Sequence, residues 1–268
     1  MPADTVAGFA TLVGAHALVV FLALLFVLLL LVAAGGWLLR SHLLARAQSR
    51  LGPLALVLLS AAIGFALVLV AASLFAEIAE HLGPGATMSL ADEALTASIR
   101  AHVAPATLAA FAVLTHFGDV ITLTLLGTGV ALVLWWQRHR VLAVGWVIAL
   151  GGNALLNPLL KRVFERVRPV HEVGLINELG WSFPSGHTSG ATVAYGMLAY
   201  VAIRTLPQPW HAPLVLAATA LAFTVGCSRV FLQVHFASDV LAGFASGAAW
   251  LTVCIVSVEL ARVYRRRA

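Results

Sequence analysis

The chain is 268 residues long, 61% hydrophobic and only 10% charged, with a mean hydropathy of +0.99 and a formal net charge of +5. That composition excludes a water-soluble globular domain and marks an integral membrane protein. A pI of about 10.0 does not call for nucleic acid, because most basic residues flank apolar runs, where they set topology and face anionic headgroups; the two cysteines form neither a disulfide framework nor a metal motif.

About 20 apolar residues cross a bilayer as a helix, and the runs at 13–39, 54–79, 120–136, 141–160, 187–203, 213–227 and 240–258 predict seven spans, the sixth of them short. The first has no basic residue ahead of it and its positive flank behind it, so it reads as a retained anchor with the N-terminus outside. Between the second and third runs, Ser89-Leu90-Ala91-Asp92 has capping-box spacing and predicts an amphipathic interfacial helix. The stretch 106–117 is apolar but too short to cross alone, and leads into the third span.

Arg40, Arg46, Arg50, Arg138, Arg140, Arg204, Arg262, Arg265, Arg266 and Arg267 are ten of the sixteen basic residues, and the threading puts them all on one side. The positive-inside rule makes that side cytoplasmic, C-terminus included. The predicted fold class is therefore all-α, a polytopic transmembrane helical bundle. An N-terminal anchor and cytoplasmic loop (1–50) precede a membrane domain (51–268).

Five of the six basic residues left outside fall in KRVFERVRP, 161–169, and SRVFLQVHFASD, 228–239. A cation cluster against the positive-inside bias implies an anionic partner on the outer side. Lys161 and Arg168 are seven residues apart, two helical turns, close enough for long side chains to converge on one anion. In FPSGHTSG, 183–190, Pro184 ends a loop, Ser185 can cap a helix and Gly186 lets the backbone approach closely. A helix N-terminus of this kind binds phosphate, and His187 would stand beside it as a proton donor. His235 and Asp239, four apart, share one helix face if the last span begins there, and the carboxylate would fix the imidazole tautomer and leave the other nitrogen free to attack.

Lys161-x6-Arg168-Pro169, Pro184-Ser185-Gly186-His187 and Ser228-Arg229-x5-His235-x3-Asp239 together resemble the three-part signature of the type 2 phosphatidic acid phosphatase superfamily, over roughly residues 54–260. The resemblance implies a six-helix core, to which the first helix is an addition. It implies that Lys161, Arg168 and Arg229 hold phosphate oxygens with hydrogen bonds from Ser185 and Gly186, that His235 attacks phosphorus, that Asp239 orients it, and that His187 protonates the leaving oxygen. No metal and no cofactor is expected.

Arg166 is expected to add a phosphate contact and Glu165 to pair with Arg162 or Arg166. His171, Glu172, Glu178 and Trp181 are expected on a solvated loop beside the headgroup, and Ser182 is expected to be reachable from outside. The expected partners are membrane lipids and a lipid phosphate substrate, with no nucleic acid. An outer-face site favours undecaprenyl diphosphate; phosphatidylglycerophosphate, phosphatidic acid and phosphoryl transfer to another acceptor stand as alternatives, and a non-catalytic transporter or scaffold as the rival of a different class.

Overall fold

The structure, a computed structural model, describes residues 3–38, 41, 53–169 and 178–267, and every regular element among them is helical. In chain order these are α1 (Ala3–Ala15), α2 (Ala17–Leu38), α3 (Pro53–Glu80), α4 (Thr87–His102), α5 (Pro105–Leu114), α6 (Val120–Trp136), α7 (Arg140–Phe164), α8 (Gly186–Thr205), α9 (His211–Phe231) and α10 (Ala237–Arg267), with 3-10 turns at Thr115–Gly118 and Gln208–Trp210. Helices satisfy their backbone groups internally, as a bilayer requires. Arg40, Arg46, Arg50, His171 and Glu172 lie outside the described residues.

Among the described residues, five helices are long and apolar enough to cross a membrane: Ala17–Leu38, Leu59–Glu80, Arg140–Phe164, Gln208–Phe231 and Ala237–Arg265. They become six if α4 and the segment Pro105–Gly118, bent by 117°, form one broken span. Where described, all seven expected runs are helical, the first with a break at His16, but two do not qualify as lone spans. Helix α6 has only 17 residues. Helix α8 opens on Gly186, His187, Thr188, Ser189 and Gly190, and needs less apolarity because it is the inner helix, with Ala191, Val193, Ala194 and Met197 at most 1% exposed.

The expected run 13–39 is divided by a turn at His16. Helix α1 packs on α4, where Gly14 leaves room for Ser98, whose hydroxyl donates to the Thr11 carbonyl at 2.7 Å. Helix α2 continues to α9, placing Phe21 edge-on to Phe111 at 5.2 Å and stacked on Phe223 at 5.9 Å. Helix α4 does not start from the expected capping box. It begins at Thr87 with Ala86 as an N-cap lacking a side-chain bond. Asp92 instead points inward, 4% exposed, because an arginine and a serine from distant segments hold it there.

The core that sets the site joins Trp146 and Ala149 of α7, Val193 and Met197 of α8, and Cys254 and Val258 of α10. Buried indoles find backbone acceptors: Trp146 Nε1 donates to the Gly127 carbonyl and Trp250 Nε1 to that of Ala149, both at 2.8 Å. Close contact of α10 with α8 depends on two glycines. A Cβ at Gly243 would lie 2.8 Å from the Ser185 carbonyl oxygen, and one at Gly247 3.0 Å from that of Ser189.

Glycine to alanine in a helix ordinarily gains about 1 kcal/mol, but overpacking costs about 1–3 kcal/mol. Gly243→Ala should therefore lower the thermal unfolding midpoint in detergent. Gly129→Ala, in α6 with nothing within 4 Å, should leave it unchanged or raise it. Equal shifts in the two variants would remove the close-contact argument.

Candidate active site

Three helix ends meet. Helix α7 ends at Phe164, with Glu165 as its left-handed C-cap (φ 43°) rather than as an ion-pair partner. The chain then runs irregularly through Arg166, Val167, Arg168 and Pro169, so Arg168 reaches the site from beyond the helix and not from its last turns. Helix α8 begins at Gly186, with Ser185 capping it: the Ser185 hydroxyl accepts from Thr188 N at 3.5 Å and from Thr188 Oγ1 at 2.8 Å. Helix α10 begins at Ala237, so His235 sits in the turn before it and not on its face.

Asp239 links that turn to the helix. Its Oδ2 accepts from Phe236 N at 2.9 Å, closing the helix start as a capping box does. The same oxygen accepts from Ser182 Oγ at 2.5 Å and lies 3.4 Å from His235 Nδ1, while Ser182 Oγ is also 3.3 Å from that nitrogen. On the other side of the ring, Arg168 Nη1 is 3.0 Å from His235 Nε2 and donates to the Val234 carbonyl at 2.8 Å. A guanidinium has only donors, so Nε2 is the acceptor and the neutral ring carries its proton on Nδ1, toward Asp239. Burial pushes the His235 imidazole down to about 4, against the pull of Asp239. At neutral pH it is uncharged, with its lone pair toward the cations.

The other expected residues surround one carboxylate. Glu178 accepts from Arg229 Nη2, lies 3.7 Å from Arg168 Nη2 and has its Oε1 3.9 Å from His187 Nδ1. Burial alone would raise the Glu178 carboxyl, but Arg229, His187 and Arg168 outweigh it and hold it below its ordinary value. Arg229 is fully buried; its Nη1 donates to Thr115 Oγ1 at 2.7 Å, and its Nε has no partner among the described residues. His187 Nε2 is 2.8 Å from Asp119 Oδ1, and His116 Nδ1 is 2.6 Å from Asp119 Oδ2. Burial acts to raise Asp119, but these imidazoles prevail and keep its carboxyl low. Lys161 Nζ donates to the Trp181 carbonyl at 2.9 Å, and Gly186 lies against the Asn157 side chain, where a Cβ would come 2.9 Å from Oδ1.

The structure therefore gathers Lys161, Arg168, Ser185, Gly186, His187, Arg229, His235 and Asp239 at one end of the bundle. Besides Glu165, three expectations change: Glu178, expected on a solvated loop, lies among the cations. Arg166 reaches Asp239 at 2.7 Å and Asp92 at 2.9 Å, as a bridge between carboxylates. Ser182 is buried beside His235, not exposed. The sequence reading missed Ser182, Thr115, Asp92 and Asp119. Of these only Asp119 carried a signal: an acidic residue immediately before an apolar helix, the kind of position that is functional by default.

With this geometry in hand, comparison with known proteins is specific. A profile of the PAP2 superfamily matches residues 140–262. Phosphatidylglycerophosphatase B of Bacillus subtilis (strain 168) is 43% identical over 103 residues, 38% of this chain, which spans 50% of that protein's length. Decaprenylphosphoryl-5-phosphoribose phosphatase of Mycobacterium tuberculosis (strain ATCC 25618 / H37Rv) is 31% identical over 154 residues, 54% of this chain and 76% of that protein. The crystal structure of the first transmembrane PAP2 type phosphatidylglycerolphosphate phosphatase from Bacillus subtilis superposes with a TM-score of 0.63 at 29% identity, covering 70% of this chain and 94% of that one.

Since Glu178 occupies the space among Arg168, Arg229 and His187, it competes with any incoming oxyanion. Glu178→Gln should tighten orthovanadate binding by up to about tenfold, or 1.4 kcal/mol, read by thermal-shift titration in detergent. Unchanged affinity would mean that the anion binds elsewhere.

Proposed function

Because the chain belongs to the PAP2 superfamily, we propose that it is a membrane phosphatase that hydrolyses a lipid phosphate monoester through a phosphohistidine. The observation that carries this reading is the convergence of Arg168, Arg229 and His187 on one carboxylate, beside a His235 whose unprotonated Nε2 faces Arg168 at 3.0 Å. A phosphate group taking the place of the Glu178 carboxylate meets those cations directly. Lys161 spends one N–H on Trp181 and an ammonium has three, so it adds a further contact. The N-terminal end of α8, at Gly186 and His187, completes the cradle.

The chemistry follows from these positions. His235 Nε2 attacks phosphorus and the P–O bond to the lipid breaks; the departing oxygen takes a proton from His187, which Asp119 Oδ1 orients from 2.8 Å. The phosphorylated ring, still protonated at Nδ1, is positive, and Asp239 balances it. Water then attacks phosphorus, His187 accepts its proton, the P–N bond breaks and inorganic phosphate leaves. Cations and backbone dipoles do the charge stabilisation that phosphoryl transfer demands, so the reading is of metal-independent catalysis.

Undecaprenyl diphosphate, ranked first by the sequence reading, moves behind phosphatidylglycerophosphate. The support for that order is the likeness to phosphatidylglycerophosphate phosphatases of Bacillus subtilis; of the two residues expected to hold a second phosphate, Arg168 stands beside His235 and His171 lies outside the described residues. The Bacillus relative is named for phosphatidylglycerophosphate and the Mycobacterium relative for a prenyl-linked sugar phosphate, which supports a lipid-anchored monoester as the class. The site is proposed to face outward, on the grounds of the positive-inside bias.

Purified protein in detergent should release phosphate from phosphatidylglycerophosphate with a kcat/KM at least about tenfold above that for undecaprenyl diphosphate, and EDTA should not reduce the rate. His235→Ala should lose turnover and form no acid-labile phosphoenzyme; substantial activity in that variant would remove the nucleophile. For orientation, a cysteine at Leu179, 93% exposed, should react with an impermeant thiol reagent in intact cells, above a parent with only Cys227 and Cys254. A cysteine at Gln137, in the α6–α7 turn, should not, and the reverse pattern would invert the protein.

A further inference from the structure

Arg166 lies between two buried carboxylates, its own side chain 13% exposed. Its Nη1 donates at 2.7 Å to Asp239 Oδ1 and at 2.7 Å to Ser238 Oγ, and its Nη2 donates at 2.9 Å to Asp92 Oδ2. The guanidinium carbon sits 4.4 Å from the centre of the Phe236 ring, next in sequence to His235. Asp92, on helix α4, also accepts from Ser238 N at 3.2 Å and from the Ser238 hydroxyl. The two oxygens of Asp239 are thus divided: Oδ1 goes to Arg166, and Oδ2 to Ser182, Phe236 N and the imidazole.

From this arrangement we propose that Arg166 and Asp92 are positioning residues for His235, a clamp that holds Asp239 from the side opposite the imidazole and makes α4 part of the catalytic apparatus. The proposal rests on the reading of His235 as nucleophile. A carboxylate held at both oxygens cannot rotate away from Nδ1. Asp92, Arg166 and Asp239 together carry one net negative charge, which complements the imidazolium that forms as Nε2 bonds to phosphorus. Arg166 alone would draw the charge of Asp239 away from the ring; Asp92 offsets that draw.

The other groups that bear on His235 are Arg168 after α7, Glu178 and Ser182 in the following loop, Arg229 of α9 and, through Asp239, Lys161 of α7. All are the same in every variant below, as is the ionisation of the substrate. Removing the Arg166 cation favours protonated His235, so the acid limb of the kcat/KM profile moves to higher pH. Removing the Asp92 anion disfavours it, and the limb moves to lower pH.

The test compares Arg166→Gln, Arg166→Lys, Asp92→Asn and His235→Ala in detergent, with kcat, KM and pH profiles on phosphatidylglycerophosphate. Arg166→Gln should lower kcat on the order of 10–100-fold, the range for outer partners that orient a ligating histidine, with KM changed less than about threefold. Arg166→Lys should recover part of the rate. Arg166→Gln and Asp92→Asn should move the acid limb in opposite directions by about half a pH unit. If Arg166→Gln does not yield monodisperse protein, Arg166→Lys and Asp92→Asn decide alone, through a kcat loss and a downward limb shift respectively. Limbs that stay in place, or a rise in KM with kcat intact, would overturn the clamp. An active His235→Ala would instead overturn the underlying mechanism.

Discussion

A guanidinium buried to full exclusion of solvent at the end of a membrane helix must have a counter-charge, because an unpaired one costs several kcal/mol. Arg229 imposes that constraint here, and several neighbouring segments answer it. Thr115, in the 3-10 turn before α6, accepts one of its N–H groups and Glu178, from the loop before α8, another. The same carboxylate lies near Arg168 and His187. A resting protein that needs an anion at this point is already shaped for one, and on the proposed function a ligand that takes the place of Glu178 must bring comparable charge. A phosphate dianion does so; a neutral headgroup does not.

The two histidines differ because their surroundings differ. His235 is 1% exposed, and burial holds its ring neutral while Asp239 and Ser182 orient the protonated nitrogen. His187 is less enclosed and stands between two carboxylates, Asp119 on one ring nitrogen and Glu178 near the other. Burial deep enough to keep the ring neutral beside its carboxylate suits a nucleophile. Contact with carboxylates suits a group that holds and releases a proton. On the proposed mechanism, the same side chain thus serves opposite roles through the groups each helix end places next to it.

The elements ahead of the family core are not peripheral in this packing. Helix α1 lies along α4 through the Ser98–Thr11 bond, α2 joins α9 through Phe21, and α4 delivers Asp92 to the Arg166–Asp239 bridge. Glycines at 243 and 247 let α10 approach α8, which brings Asp239 within reach of Ser182 and allows Ser185 N to donate to the Asp239 carbonyl at 3.0 Å. Packing in the bundle and geometry at the site are therefore one problem: a helix displaced in the core displaces a hydrogen bond at the end that holds the site.

What could be read in the chain was local. Membrane character, the order of the apolar runs and the three segments holding Lys161, Arg168, Ser185, Gly186, His187, Arg229, His235 and Asp239 all follow from apolar run length and from spacings of a few residues, which survive whatever the rest of the fold does. Partnerships across long separations were not legible. Ser238 and Asp92 are 146 positions apart and Arg229 and Thr115 are 114 apart, and no spacing rule connects them. Local reasoning even misassigned Asp92 as a helix cap, because a capping box and an inward-facing carboxylate look identical until the neighbouring helices are in place. Tertiary structure decided which polar groups lost water, and a group that loses water binds whatever partner packing brings near, regardless of its distance along the chain.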